Sequence, residues 1–172
     1  MAGQGRSITG VWSAGMVGVC RRLRAVLCLA ASASMMASMS AAAQQCTIQN
    51  LTPVAFGVYD PTAGVPDDAT GSFRVRCSPR SSYSASISAG AAGGFFPRTL
   101  VQGTDTLAYN LFREAARVTV WGNGAGGSQV VNVADSGPPG NPVTLTMFGR
   151  IPAGQWVAAG PYQDTLVLTI VF

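Results

Sequence analysis

Thr165-Leu166-Val167-Leu168-Thr169-Ile170-Val171-Phe172 closes the chain. Leu166, Leu168, Ile170 and Phe172 fall on one face and Thr165, Val167, Thr169 and Val171 on the other, the two-residue period of a β-strand. The sequence stops inside this strand, and no further strand follows it to complete a sheet. Working back, Phe73-Arg74-Val75-Arg76-Cys77 alternates in the same way, with Phe73, Val75 and Cys77 opposite the two arginines. Tyr83, Ala85 and Ile87 alternate with serines, and Leu107, Tyr109 and Leu111 alternate with Ala108, Asn110 and Phe112. Val118–Trp121, Val130–Val133 and Val143–Phe148 are further candidate strands.

Between these runs lie glycine- and proline-rich breaks at 61–66, 89–94, 122–127 and 137–142. No segment beyond residue 43 sustains a capped helical period. Many short strands at fairly regular spacing predict a sandwich or barrel. The glycine run 122–127 has no Lys-Ser/Thr pair after it and no helix to open, so it does not make a phosphate cradle.

The first 43 residues read differently. Arg21, Arg22 and Arg24 precede an uncharged Ala/Ser/Met run ending in Ala41-Ala42-Ala43, the small-residue pattern that a signal peptidase cuts after. Residues 1–43 are therefore expected to be a cleaved export signal, with Met16 as an alternative start, and 44–172 a single β domain. Four of the eleven arginines lie in the leader, leaving seven against seven acids. A formally neutral domain has no surplus with which to displace counterions from nucleic-acid phosphates.

Cys46 and Cys77 remain as an even pair after export, expected to form a disulfide in an oxidising compartment; two separate buried thiols are the alternative. With no histidine, no lysine and one glutamate, Glu114, neither a His-based triad nor an ordinary zinc site can be assembled. No enzymatic activity, metal or cofactor is expected.

An ordered set of short motifs carries a family resemblance. After Cys46 come Phe56-Gly57-Val58-Tyr59-Asp60, Cys77, Arg98 with Leu100, and Leu107–Phe112. Trp121-Gly122-Asn123-Gly124 follows, then Gly149-Arg150-Ile151-Pro152-Ala153-Gly154-Gln155 and Gly160-Pro161-Tyr162-Gln163-Asp164-Thr165. In their order and spacing over 46–172 these resemble the spore coat protein U domain family, whose members include subunits of archaic chaperone–usher pili. Leu100, Phe112 and Phe148 depart from the family's Met, Tyr and Tyr while keeping apolar bulk.

The resemblance implies an immunoglobulin-like β-sandwich lacking its final strand. Its partners would be a periplasmic pilus chaperone, an outer-membrane usher and neighbouring pilus subunits. The subunit would pass through the periplasm to a surface fibre, with a role in adhesion, biofilm or a surface coat. Leu166, Leu168, Ile170 and Phe172 are the expected residues of the strand-accepting groove. Cleavage after Ala43 would leave only Gln44 and Gln45 ahead of Cys46, too short for a donor strand. Three readings follow: an earlier cut after Ala33, leaving Ser34–Gln45; a tip subunit that accepts a strand and donates none; or a self-complete coat protein.

Other candidate residues have a bland and a sharp reading. Arg74, Arg76 and Arg80 suit either a solvated strand face or an acidic polysaccharide, and Trp121 and Trp156 either packing or stacking on sugars. Arg150 and Asp164 read as a structural ion pair or as loop caps. Asp67-Asp68, adjacent acids read as lying in a loop, lack the spaced ligands of a calcium site.

Overall fold

The computed structural model of the protein describes residues 43–138 and 141–172. Its elements are β1 (Gln45–Thr52), β2 (Asp67–Ser78), β3 (Tyr83–Ile87), a single 3-10 turn (Gly90–Ala92), β4 (Arg98–Gln102), β5 (Asp105–Phe112), β6 (Val131–Val133), β7 (Val143–Ile151) and β8 (Leu168–Val171). They form a five-stranded sheet in the order β1-β2-β7-β5-β4 and a three-stranded sheet in the order β6-β3-β8. Every strand pairing is antiparallel. The fold is an all-β, immunoglobulin-like sandwich.

Alternation places the core. Phe73, Val75 and Cys77 of β2, Leu107, Tyr109 and Leu111 of β5, and Met147 and Ile151 of β7 point inward from the larger sheet. Tyr83, Ala85 and Ile87 meet them from β3 of the smaller sheet. Each large apolar side chain buried in this way contributes about 1.5–3 kcal/mol. The arginines between them, Arg74 and Arg76, stay exposed on the outer face, with no carboxylate partner among the described residues. Arg80 pairs with Asp135 at the surface.

Cys46 and Cys77 stand directly opposite each other on β1 and β2 and are joined in a disulfide. The bridge closes a span of 31 residues, which destabilises the unfolded chain by about 3–4 kcal/mol in the entropy picture. It ties the edge strand β1 to the sheet interior.

Several sequence expectations change here. Val118–Trp121 does not form a strand; it makes isolated bridges from Val120 to Phe112 and from Trp121 to Gln129. Asp67 and Asp68 open β2 rather than lying in a loop, and Asp68 sits opposite Arg150 on β7. β7 runs on to Ile151, so Gly149-Arg150-Ile151 is sheet and not loop. The terminal strand covers only Leu168–Val171. Ahead of it the register continues one step, the Ser88 amide donating to the Val167 carbonyl, but the Val167 amide donates to the Ser88 hydroxyl in place of a backbone carbonyl. Residues 1–42, which carry most of the expected export leader, lie outside the described residues.

The two sheets are pinned together by Arg98. This β4 side chain is fully buried at 0% exposure. Its Nε and Nη2 donate to the Ser88 carbonyl at 3.1 and 3.0 Å, Nη2 to the Trp121 carbonyl at 2.6 Å, and Nη1 to Asn110 Oδ1 at 2.8 Å. The guanidinium also lies over the Phe95 ring. Burial draws its pKa down, but every donor direction named here ends on an oxygen, which is how a buried cation is tolerated.

Candidate functional site

Between the sheets the sandwich is open along one side. A groove of about 920 Å³ runs there. Its floor is core: Ile87, Leu107, Tyr109, Leu111, Met147 and Ile151. One wall is the segment from Leu51 to Pro61, which leaves β1 and runs along the sandwich; the other is the segment from Trp156 to Leu168, which leads into β8.

The first wall is extended but unpaired. Pro53 cannot donate to a ladder, and residues 53–58 make no backbone–backbone hydrogen bond among the described residues. Phe56 turns inward and meets the Tyr109 ring edge-on at 6.0 Å. Gly149 makes room for this: a Cβ there would come within 2.6 Å of Val54 and 2.7 Å of Phe56. Gly57, with φ +79°, lets the chain turn after Phe56 so that Val58 points outward, where it is 96% exposed.

The second wall is anchored on its outer side. Gln163 exchanges both backbone hydrogen bonds with Val101 of β4 at 2.8 and 3.1 Å. Asp164 accepts from the Tyr109 hydroxyl at 2.7 Å and from the Ala91 amide at 2.9 Å. Burial, reinforced by this hydrogen bond to a carboxylate, pushes the Tyr109 hydroxyl pKa well above its usual value. Tyr162 donates to the Ala158 carbonyl, and Gly160 packs against the Gln102 side chain. β8 pairs with β3 along one edge, and its other edge has no strand partner among the described residues.

The walls meet at one end. The Tyr59 hydroxyl donates to the Pro152 carbonyl at 2.8 Å and accepts from the Gln155 amide at 2.9 Å. Gly154, with φ +77°, supplies the turn between them.

The residues singled out in the sequence distribute as follows. Leu166 and Leu168 line the groove. Ile170 packs against the core from β8. Phe172 is half exposed and lies in a second hollow beside Tyr83 and Asn132. Trp121 is buried at 1% exposure, its Nε1 donating to the Ala85 carbonyl at 2.9 Å and its ring 5.9 Å from Phe73. Gly122 beside it fits against Ser128 and Phe95. Trp156 is 77% exposed at the groove mouth.

Arg150 and Asp164 do not pair with each other. Arg150 holds Asp68 through two hydrogen bonds of 2.7 and 2.8 Å, which keep the Asp68 carboxyl below its usual pKa. The sequence reading placed Ile87, Leu107, Tyr109 and Leu111 on alternating strand faces and Phe56–Asp60 in a family motif, but it assigned none of them to the groove.

The arrangement is a strand-shaped slot with an apolar bottom and bare backbone at its sides. Comparison with known proteins gives the same fold. "Protein U" of Myxococcus xanthus is 34% identical over 134 residues, covering 68% of this chain and 70% of that protein. The crystal structure of the CsuC-CsuE chaperone–tip adhesion subunit pre-assembly complex, from archaic chaperone-usher Csu pili of Acinetobacter baumannii, superposes with a TM-score of 0.51 at 22% identity. The match covers 76% of this chain and only 40% of that one. The Spore Coat Protein U domain pattern matches residues 31–169, and the chain belongs to the spore coat protein U domain family.

Proposed function

We propose that the protein is an exported structural subunit of a surface fibre or coat, and that its groove is filled by a β-strand lent by another polypeptide. The carrying observation is the combination of an apolar floor with a first wall, residues 53–58, that makes no backbone–backbone hydrogen bond among the described residues, and with a β8 edge that has no strand partner among them. Buried backbone N–H and C=O groups need partners, and an inserted strand supplies them while its alternate side chains cover the floor. A periplasmic chaperone fills the slot in transit, and a neighbouring subunit replaces it after delivery to an outer-membrane usher. The free edge of β8 argues against a self-complete coat protein, because such an edge invites uncontrolled pairing unless it is covered.

Expressed without a chaperone, the mature domain is expected to aggregate or melt broadly. A nine-residue peptide of alternating apolar residues, present at a hundred times its dissociation constant, should stabilise it by about 2.7 kcal/mol. A domain that stays monomeric and melts cooperatively alone, with no response to such peptides, would sink this reading.

The family match begins at residue 31, well ahead of β1. This supports an early export cut, after Ala33, that leaves Ser34–Gln45 on the mature subunit as a donor segment. The intact mass of the exported chain decides it. A mass starting at Ser34 agrees with a subunit that donates as well as accepts, and one starting at Gln44 leaves a subunit that only accepts.

Trp156 favours a second role for the same module. A large aromatic ring held exposed beside the groove suits contact with a sugar or an apolar surface. Replacing it with alanine should leave the folded domain within about 0.5 kcal/mol of the parent, so any loss of surface binding can be read directly.

A further inference from the structure

The closed end of the groove has a feature that the strand-accepting role does not require. β5 and β7 pair antiparallel, Asn110 opposite Arg150. Continued by two residues along each strand, this register would set Ala108 opposite Pro152. Proline has no N–H, so the ladder cannot close there, and the Ala108 amide and carbonyl are left facing away from β4. The Gln155 side chain takes both. Its Oε1 accepts from the Ala108 N–H at 2.9 Å and its Nε2 donates to the Ala108 carbonyl at 2.9 Å. Nε2 also reaches the Pro152 carbonyl at 3.1 Å. One side-chain amide thus stands where the backbone of another strand would sit.

Gln155 is also tied to the first wall. Its own amide donates to the Tyr59 hydroxyl, which in turn donates to Pro152. The first wall runs toward this knot from Leu51 to Tyr59, and the second runs away from it, from Trp156 to Leu168. Beyond the knot, the edge of β5 from Asp105 to Leu107 has no strand among the described residues on the side that β7 has left.

Resting on the strand-acceptor reading, we propose that Gln155 is a positioning residue: with Tyr59 it forms an end stop that fixes how far a borrowed strand enters and denies it the bare edge of β5. The partner it fits is a strand that ends, or turns away, at the knot. Leu51 to Tyr59 is about 30 Å of extended chain at roughly 3.3 Å per residue, so a segment of about nine residues fills the slot.

The test uses the full exported chain and synthetic peptides. The parent peptide is a nine-residue Val/Ser alternation; two longer versions add Thr-Val-Thr at the N-terminus or at the C-terminus. In the parent protein, extension at one particular end should bring no gain in affinity, because that end meets the stop. In Gln155→Ala the same extension should bind about three- to tenfold tighter, as one or two new backbone hydrogen bonds form on β5. Extension at the other end should respond identically in both proteins. If the alanine variant is too unstable to isolate, Gln155→Met keeps the side-chain length, frees Ala108 and gives the same reading.

A merely structural role for Gln155 would shift all three peptides together. That outcome, or an extended peptide already bound tighter at both ends by the parent protein, overturns the end stop while leaving the strand-acceptor reading intact. Failure of the nine-residue peptide to bind the parent protein overturns both.

Discussion

Replacing Arg98 with alanine is expected to cost about 3–5 kcal/mol of folding stability, from buried carbonyls left unpaired and from the space a long buried side chain vacates. Two carbonyls, those of Ser88 and Trp121, depend on its guanidinium, while Asn110 Oδ1, which it also reaches, keeps the Leu111 amide as a second donor. Each acceptor left buried without a partner costs about 1–3 kcal/mol. Arg98 comes from the larger sheet, whereas Ser88 follows β3 of the smaller one, so the loss also loosens the sheets against each other. Urea unfolding of the peptide-filled domain measures the effect. Arg98→Lys should recover only part of the loss, because one ammonium cannot reproduce the planar fork that serves all three sites. An alanine variant within 1 kcal/mol of the parent would show that the network is dispensable.

Trp121→Ala should be nearly as severe, at about 3–5 kcal/mol. The ring fills the space beside Phe73, and its N–H satisfies the Ala85 carbonyl in the middle of β3. Its own amide also donates to the Leu111 carbonyl at 2.9 Å, which holds a segment with no regular ladder against β5. The measurement is again unfolding of the complemented domain, set beside Trp156→Ala. A large loss at Trp121 with a negligible one at Trp156 assigns packing to the first and leaves surface contact to the second. Equal losses would contradict the burial difference of 1% against 77%.

The two tryptophans mark the boundary of what the sequence could tell. Both sit in glycine-bearing surroundings, and neither composition nor alternation separates them. Their fates depend on neighbours far along the chain: Phe73 and Ala85 enclose Trp121, while nothing covers Trp156. β4 was named only through Arg98 and Leu100, because a buried arginine in a five-residue strand carries no alternation to read. The first groove wall was hidden for a related reason. Phe56-Gly57-Val58-Tyr59-Asp60 reads only as a family motif, and the packing of Phe56 over Gly149 shows it to be part of a wall.

By contrast, the inward faces of β2, β3 and β5 were legible, though not the full length of β2 and β5, since a two-residue period is a local property that survives in any sheet with one buried face. The terminal strand was legible in type but not in extent, because the hydrogen bonds of Val167 to Ser88 are a tertiary event.

By itself, then, the sequence determined an all-β chain, its inward faces and the pair of cysteines available to bridge, because those follow from side-chain spacing and chemistry along a strand. Tertiary structure alone decided that Leu51–Pro61 and Trp156–Leu168 would line one groove over the core. It also decided that Gln155 would stand in for a strand beside Pro152. Both depend on which strands become neighbours, and that is settled by packing between residues some 50 to 100 positions apart, as in the bonds joining Tyr59 to Pro152 and Gln155 to Ala108.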